Sequence, residues 1–288
     1  MDILEFAERS DYSLFPVQKI LLKAIYGIAL DEEKSLVVRD WVGGNLVEKT
    51  LTEKTYLEYL YDEGRSSIRS VEPGREFRNI VLCLGLRSGK DCLLNLCTAY
   101  ETHLVLGDSG DNCSELGIVR VESDRTMSDA AKFELSCFLN GSRIFDSFRI
   151  TYNRSEMKIR HRDGSPDLAR VRFVTANSVY LKGYRNRVAF LNEAAYYDSP
   201  SARSVYLSLL GTTSGVPEGK IVLASSPNGR KGLFYERFKD GLVDSLNGTL
   251  CMRIPTWELN PTIPVNEYRK KLARDTKVFR VGYGAEWE

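Results

Sequence analysis

The stretch Asn79-Ile-Val-Leu-Cys-Leu-Gly-Leu-Arg-Ser-Gly-Lys-Asp91 decides the fold that we predict for this chain. It begins with an apolar run that is typical of a buried strand, and the residues from Asp91 to Leu104 are apolar enough for a packed helix. The turn between them carries Gly85 and Gly89 and ends at Lys90. In such a strand–turn–helix unit, backbone N–H groups and the helix N-terminus can face a phosphate group. We therefore predict a phosphate-binding loop over residues 85–91.

This loop departs from the strict G-x-x-x-x-G-K-[ST] pattern at two positions. Leu84 occupies the place of the first glycine, and Asp91 replaces the hydroxyl residue that normally binds Mg²⁺. Gly89 lets backbone N–H groups approach phosphate oxygens, and Lys90 supplies a positive charge for the β- and γ-phosphates. The alternative is a glycine-bearing turn with a solvated lysine.

Further strands and helices alternate along the chain. We predict a strand at Gly117 to Val121 and a helix at Ser128 to Leu139, then apolar strands at Arg187 to Leu191 and Lys220 to Ala224. This alternation predicts an α/β fold, with a mostly parallel sheet and flanking helices. A helix is expected between Pro16 and Gly27, because proline favours helix starts and glycine favours helix ends.

Composition excludes several classes of protein. The 288 residues are 43% hydrophobic and 27% charged, which is ordinary for a globular domain. Lys+Arg number 40 and Asp+Glu 39, so a nucleic-acid partner requires a local basic surface rather than a global positive field. Only two histidines are present, so we expect carboxylate, Lys and Arg side chains to carry any catalysis. Six cysteines without a CxxC pair, no leader and no membrane-length apolar run indicate a cytosolic protein.

Two strand ends carry polar side chains that fit a nucleotide site. Asn192 and Glu193 follow the apolar run at 188–191, where phosphate-loop ATPases have Asp-Glu. Asn192 adds no charge there, whereas Asp91 adds one in the loop, so Asp91 and Asn192 are the candidate metal-binding pair. The alternative for Glu193 is a carboxylate that caps the next turn. Ser225 and Ser226 end the later strand, where the alternative is a Ser-Pro-Asn-Gly turn.

Five short motifs follow one another in a characteristic order. They are Phe15-Pro-Val-Gln18, Arg87-Ser-Gly-Lys90, Leu181-Lys-Gly-Tyr184 before Phe190-Leu-Asn-Glu-Ala-Ala195, Ala224-Ser-Ser-Pro-Asn-Gly229, and Trp257-Glu-Leu-Asn-Pro261. In this order they resemble the ATPase motor domain of the large terminase subunit of tailed bacteriophages. The resemblance covers nearly the whole chain and is weakest over residues 35–75.

The resemblance implies a P-loop ATPase core of the additional-strand, catalytic-glutamate kind, with ATP and Mg²⁺ as cofactors. Gln18 would read the adenine, Arg87 and Lys90 would contact phosphates, and Glu193 would be the catalytic carboxylate, with Arg87 assisting. Ser225 and Ser226 would form the coupling motif. The implied ATP-binding set is Phe15, Gln18, Gly85, Ser88, Gly89, Lys90 and Asp91.

The resemblance also implies a domain organisation and a set of partners. Residues 1–235 would form the ATPase core with an N-terminal adenine-binding segment, and residues 236–288 a lid or linker subdomain. A nuclease domain would follow the region similar to Tyr283 to Glu288, so we expect it to be absent. The implied partners are double-stranded DNA, the portal protein, the small terminase subunit and further copies in a homo-oligomeric, pentameric ring. No membrane is expected, and the site of action would be the host cell cytoplasm.

The expected function is ATP-driven translocation of double-stranded DNA into a procapsid. A helicase-like nucleic-acid ATPase is one alternative, although the chain lacks a second motor-like half. A non-hydrolysing nucleotide-binding or assembly protein is another, and Asp91 and Asn192 are the residues that favour it.

Two sets of basic residues are candidates for contacts with partners. Arg120 and Arg125 flank the end of the second strand and could reach a neighbouring subunit, the alternative being ordinary surface arginines. Asp163-Gly164 predicts a β-hairpin whose basic side chains alternate on one face. The candidate DNA-binding set is Lys158, Arg160, Arg162, Arg170 and Arg172. The alternative is a charged sheet edge that opposes aggregation.

Overall fold

The computed structural model describes residues 1–107, 116–164, 168–176, 184–197, 199–243 and 248–288. Its strands are β1 (Ser35–Val42), β2 (Asn45–Thr52), β3 (Asn79–Leu84), β4 (Leu116–Glu122), β5 (Phe148–Tyr152), β6 (Glu156–His161), β7 (Leu168–Thr175), β8 (Arg185–Asn192), β9 (Lys220–Ser225) and β10 (Thr249–Ile254). Its α-helices are α1 (Ile3–Arg9), α2 (Pro16–Tyr26), α3 (Glu53–Asp62), α4 (Lys90–Gly107), α5 (Arg125–Gly141), α6 (Ser199–Thr213), α7 (Gly232–Val243), α8 (Thr256–Leu259), α9 (Val265–Arg274) and α10 (Thr276–Gly282). Among the described helices, none is long and apolar enough to cross a lipid bilayer.

The main sheet has eight strands in the order β10-β3-β9-β8-β4-β7-β6-β5. β3 pairs in parallel with β10, and β4 pairs in parallel with both β7 and β8. The antiparallel pairs β5–β6 and β6–β7 complete one end of the sheet. The predicted α/β fold with a mostly parallel sheet and flanking helices is therefore confirmed.

The chain packs as two compact units. Unit 1 comprises residues 1–13 and 91–222, and unit 2 comprises residues 14–90 and 223–288. The predicted boundary between residues 235 and 236 falls within helix α7 (Gly232–Val243). The division into a core and a lid remains a prediction.

Local signals explain both ends of α2 and the start of α5. Helix α2 begins at Pro16, and Gly27 closes it with φ 62°, in the left-handed region that glycine tolerates. Helix α5 begins at Arg125, a turn before the predicted start at Ser128, because the Asp124 side chain accepts a hydrogen bond from Met127 N–H at 2.9 Å and caps the helix.

Candidate nucleotide site

The loop that we predict to bind phosphate, called the phosphate loop below, joins a strand to a helix as the sequence predicts. β3 ends at Leu84 and α4 begins at Lys90, so the loop joins a buried strand to a helix N-terminus. Gly89 has φ 86° and Arg87 has φ 62°, in the left-handed region that non-glycine residues adopt uncommonly. Lys90 is buried and Arg87 is exposed. The hydroxyl of buried Ser88 has no hydrogen-bond partner among the described residues, which leaves a polar group in the loop for a ligand.

Gly85 fixes the base of the loop against the C-terminal segment of unit 2. A Cβ atom at Gly85 would lie 2.3 Å from Thr256 Oγ1 and 2.7 Å from the Tyr283 carbonyl oxygen. Gly85 N–H donates to the carbonyl of Ile254 at 3.1 Å. Only glycine fits here without displacing the neighbouring backbone.

The remaining loop residues are tied to the same segment by hydrogen bonds. Thr256 Oγ1 donates to the Leu86 carbonyl at 2.8 Å, and Leu86 N–H donates to the Gly282 carbonyl at 2.7 Å. Asn260 Nδ2 donates to the Arg87 carbonyl at 2.9 Å. Three hydrogen bonds therefore tie the loop to Thr256, Asn260 and Gly282.

Gln18 lies beside the phosphate loop. Its Oε1 accepts a hydrogen bond from Phe15 N–H at 3.1 Å, which orients the amide at the start of α2. Its Nε2 would lie 3.2 Å from a Cβ atom at Gly89. The structure thus brings together Phe15, Gln18 and Gly89, and the role of Gln18 toward adenine remains a prediction.

In unit 1, Asn192 holds two carboxylates together. Its Nδ2 donates to Asp91 Oδ1 and to Glu122 Oε2, each at 2.8 Å. Asp91 lies in the first turn of α4, Glu122 ends β4 and Asn192 ends β8, so three elements meet at this amide. The amide nitrogen orients the two carboxylates, and the metal-binding role of Asp91 and Asn192 remains a prediction.

Glu122 contacts the candidate residue Asn192, and sequence reasoning did not single it out. It is buried, and Arg120 Nη2 contacts its Oε1 at 2.8 Å. Burial raises the pKa of Glu122 above its ordinary value, against the opposing effects of Arg120 and the Asn192 amide. The available signal was its position at the carboxyl end of a strand that pairs with β8.

Glu193 has a specialised backbone position. Its φ is 54° and ψ is 38°, immediately after β8 and before the 3₁₀ turn Ala194–Tyr196. The hydroxyl of buried Tyr197 lies within hydrogen-bond distance of the Val121 and Asn192 carbonyls, so it fixes the ends of β4 and β8. A left-handed non-glycine residue held in this way is typical of a functional position.

Ser225 and Ser226 are buried at the end of β9. The Ser226 hydroxyl has no hydrogen-bond partner in the described part of the chain. A buried hydroxyl without a partner calls for an explanation, and both the coupling role and the turn alternative stay open. The coupling role itself remains a prediction.

The residues around Asn192 show whether the chain has ligands suited to Mg²⁺. The described residues contain no cluster of three or more His, Cys, Asp or Glu side chains suited to a metal. Mg²⁺ at nucleotide sites commonly uses only one or two carboxylates together with phosphate oxygens and water. The Asp91 and Glu122 carboxylates fit that smaller requirement.

The structure contradicts one predicted trans arginine. Arg120 is 1% exposed, and its guanidinium contacts Asn95, Thr98 and Glu122. It cannot reach a neighbouring subunit, because it lies inside unit 1. Arg125 lies at the start of α5, pairs with Asp129 at 2.9 Å and remains a candidate.

The two strands that carry the predicted basic residues, β6 and β7, pair antiparallel. Lys158 lies opposite Arg170, whereas Glu156 lies opposite Arg172. Met157 and Ile159 are buried on the other face of β6.

A carboxylate lies within this basic face. Glu156 pairs with Lys158 at 3.4 Å, Arg170 at 3.9 Å and Arg172 at 3.5 Å. The guanidinium of Arg172 also stacks 3.6 Å from the ring centre of Tyr184. Arg160 and Arg162 are the exposed members of the set, so they are better placed than Arg172 to contact a partner.

Solved structures with the same fold are terminase ATPases. The large terminase ATPase domain of Thermus phage P74-26 is 18% identical, with a TM-score of 0.56 over 74% of this chain and 90% of that domain. The chain has the fold of a large terminase ATPase domain. The large terminase of bacteriophage HK97 is 14% identical, with a TM-score of 0.57 over 73% of this chain and 47% of that protein. The large terminase of a thermophilic bacteriophage, in complex with ADP, is 13% identical, with a TM-score of 0.56 over 79% of this chain and 52% of that protein.

The predicted resemblance is therefore confirmed at the level of the fold. No family model matches the sequence, and no curated protein matches it. The motif Leu181-Lys-Gly, on which the resemblance partly rests, lies outside the described residues.

Proposed function

We propose that this chain is the ATP-hydrolysing motor domain of a viral DNA-packaging terminase, which translocates double-stranded DNA into a procapsid. The observation that carries the proposal is the phosphate loop, with its left-handed Arg87 and Gly89 and the unsatisfied Ser88 hydroxyl. The terminase ATPase fold, which includes an ADP-bound example, supports the same assignment.

The proposed chemistry divides between binding and hydrolysis. Lys90 and Arg87 bind and orient the phosphates of ATP, and the loop N–H groups neutralise charge as the terminal phosphate leaves. Glu193 orients a water molecule and accepts its proton. Mg²⁺, when bound, neutralises phosphate charge, and Asp91 and Glu122 would hold it.

ATP hydrolysis would be coupled to movement of the proposed lid through the residues that are hydrogen-bonded to the phosphate loop. Ser226 is proposed to sense the terminal phosphate through its unsatisfied hydroxyl. Thr256, Asn260 and Gly282 bond directly to the phosphate loop, so a shift of the loop would move α8 and α10. These helices belong to the proposed lid.

The partners follow from the proposed role. They would be double-stranded DNA, a portal protein, the small terminase subunit and further copies of the chain in a pentameric ring, acting in the host cell cytoplasm. Arg160 and Arg162 are the proposed DNA contacts, and Arg125 is the proposed trans arginine.

Phosphate release tests the enzymatic part of this proposal. Purified protein with ATP should release phosphate in Mg²⁺ and not in EDTA, and Lys90→Ala should abolish release. Lys19→Ala, at an exposed position of α2, is the matched control. Phosphate release that is absent, or that does not depend on Mg²⁺, would contradict the proposal. If release depends on Mg²⁺, a packaging assay distinguishes a motor from a helicase-like ATPase.

One observation favours a non-hydrolysing nucleotide-binding protein as a second candidate. The Asn192 amide already donates hydrogen bonds to the carboxylates of Asp91 and Glu122. These hydrogen bonds would compete with a metal ion for the carboxylate oxygens. ATP binding without phosphate release in Mg²⁺ would support that alternative.

A further inference from the structure

Tyr197 links the ends of two neighbouring strands of unit 1. Its hydroxyl lies 2.9 Å from the Val121 carbonyl oxygen in β4 and 2.5 Å from the Asn192 carbonyl oxygen at the end of β8. A tyrosine hydroxyl has one hydrogen to donate, so the two carbonyls share it. All three residues are buried, so this hydroxyl satisfies carbonyl groups that have lost contact with solvent.

The hydroxyl acts where the backbone pairing of these strands stops. The register of β4 and β8 ends with the pair Val121 and Leu191. Soon afterwards Glu193 takes φ 54° and ψ 38°, so the chain leaves the direction of β8. A left-handed residue cannot continue the extended backbone that parallel pairing requires. The Tyr197 side chain therefore joins the two strand ends where the backbone no longer does.

The Asn192 carbonyl belongs to the peptide group that precedes Glu193. A peptide group is planar, so a hydrogen bond to its oxygen also fixes the direction of the Glu193 N–H. On the other side of this residue, Tyr196 N–H donates to the Glu193 carbonyl at 2.9 Å. The left-handed conformation is costly for a non-glycine residue and persists only where its surroundings enforce it. The turn at 192–197 supplies that enforcement.

Asn192 is fixed through both its side chain and its main chain. The side-chain amide donates to Asp91 and Glu122, each at 2.8 Å, whereas the carbonyl accepts from Tyr197. Loss of the Tyr197 hydroxyl would leave the side-chain hydrogen bonds in place and would release only the carbonyl. The effect of that loss should therefore be greatest at the next residue, Glu193.

The Tyr197 hydroxyl is suited to lasting donation rather than to proton transfer. Burial, together with the nearby Glu122 and Glu193, raises the pKa of Tyr197 well above its ordinary value. The hydroxyl therefore keeps its proton at neutral pH and continues to donate to the two carbonyls.

We propose that Tyr197 is a positioning residue for Glu193, because its hydroxyl holds the Asn192–Glu193 peptide in the conformation that directs the Glu193 carboxylate. This inference rests on the proposed function, in which Glu193 orients the attacking water. In this role Tyr197 acts only through the backbone of Glu193. The alternative is a purely structural role, in which the aromatic ring fills the core and the hydroxyl adds only to stability.

Tyr197→Phe removes the hydroxyl and keeps the ring. We expect kcat for ATP hydrolysis to decrease about tenfold, because a carboxylate that is oriented less well slows the chemical step. KM for ATP and equilibrium ATP binding should stay within about twofold of the wild-type values, since Glu193 acts on water. Tyr197→Met, which also lacks the hydroxyl and packs adaptably, is used if Tyr197→Phe does not fold.

A double-mutant cycle separates positioning from a structural role. When Tyr197→Phe is added to Glu193→Gln, the residual turnover should change by less than about twofold, because the carboxylate that Tyr197 positions is already absent. Equal losses of turnover in the wild-type and Glu193→Gln backgrounds would overturn the proposal. Weaker ATP binding with an unchanged kcat in Tyr197→Phe would also overturn it.

Hydrogen exchange tests the same contact without ATP. The backbone amides of residues 191–197 should exchange about tenfold faster in Tyr197→Phe than in the wild type, because the released peptide opens more often. Unchanged exchange would show that the hydroxyl does not hold this turn.

Two other tyrosines supply matched controls. Tyr196→Phe removes an exposed tyrosine hydroxyl from the same turn. Tyr100→Phe removes a hydroxyl from a buried residue of α4, where it donates to the Met1 carbonyl at 3.3 Å. Both variants should retain the wild-type kcat and the wild-type exchange at 191–197.

The measurements distinguish this inference from the proposed function. Absence of phosphate release by the wild type would refute the ATPase assignment, and hydrogen exchange would still show whether Tyr197 holds Glu193. Phosphate release by the wild type together with an unchanged kcat in Tyr197→Phe would refute the positioning role alone.

Discussion

Lys90 and Glu193 are single side chains with different proposed tasks, so their substitutions should fail differently. Lys90→Ala should reduce ATP turnover by roughly 100-fold or more and weaken nucleotide binding, because the lysine contacts phosphates in the ground state. Glu193→Gln should reduce turnover similarly while binding is retained, since the carboxylate acts on water. Steady-state phosphate release and equilibrium ATP binding measure the two effects.

Glu267→Gln, an exposed change on α9, provides the control for Glu193→Gln. Wild-type turnover in Glu193→Gln would refute the proposed role of this carboxylate. A loss of ATP binding in the same variant would instead give Glu193 a ground-state role.

Glu122 should make stability depend on pH. Its pKa is raised above the ordinary value of 4.5, so the folded state binds more protons than the unfolded state between that value and the raised one. The free energy of unfolding of the wild type therefore falls as pH rises through this window. Glu122→Gln lacks this contribution, so its stability relative to the wild type should increase with pH, as measured by denaturant unfolding.

Glu267→Gln provides a control of opposite sign for this pH dependence. Lys270 lowers the pKa of Glu267, so the wild type gains stability as pH rises through the window below 4.5. If the difference in free energy of unfolding between Glu122→Gln and the wild type does not change with pH, Arg120 fully offsets the effect of burial on the pKa of Glu122.

Among the elements, the contact between the phosphate loop and α8 should be intolerant of a single methyl group. Gly85→Ala would place Cβ within 2.3 Å of Thr256 Oγ1, so the loop or α8 must shift. We expect a decrease of about 3 kcal/mol in the free energy of unfolding together with weaker ATP binding. Denaturant unfolding and nucleotide titration measure the two effects.

Gly141→Ala is the control, because nothing lies within 4 Å of its Cβ position and no positive φ is required. Equal stability of the Gly85→Ala and Gly141→Ala proteins would show that the loop does not depend on this close approach.

Elements that are marked by a proline, a glycine or a continuous apolar run were predictable from the sequence, whereas the strands β2 and β10 were not. Pro16 and Gly27 bracket α2, and the apolar run at 79–84 forms β3. β2 (Asn45–Thr52) was missed because it lies on an exposed two-stranded hairpin with little apolar alternation. β10 (Thr249–Ile254) was missed because the prolines at 255, 261 and 264 led us to predict helix and loop for the whole region after residue 230.

The candidate site was predictable only where its residues are close in sequence. The loop at 85–91 and the pair Asn192-Glu193 each form one continuous motif. Glu122 lies 70 positions from Asn192, and only the pairing of β4 with β8 brings the two together. Sequence spacing contains no direct record of that pairing.

For the whole molecule, the balanced charge means that DNA binding should depend on a few exposed cations. Arg160→Glu with Arg162→Glu should weaken DNA binding and reduce DNA-stimulated ATPase, while basal ATPase is retained. The dependence of log affinity on log salt should decrease by about one unit for each DNA phosphate that the variant no longer neutralises. Binding measured over a salt series gives this slope.

Lys270→Glu with Arg274→Glu makes the same change of net charge on α9 and is the control. An unchanged affinity and salt slope in the Arg160/Arg162 variant would assign DNA binding to another face. Equally weakened binding in both variants would indicate a response to net charge alone.

The interleaved order of the two units constrains how the chain folds during synthesis. Unit 1 is assembled from residues 1–13 and 91–222. Helix α1 is therefore synthesised before the residues at 91–222 with which it packs, and it cannot pack until they have been synthesised. Unit 2 begins at residue 14 but needs residues 223–288, and its phosphate loop is anchored by Thr256 and Gly282. The loop that is proposed to bind ATP is therefore completed only after unit 1 has all its residues.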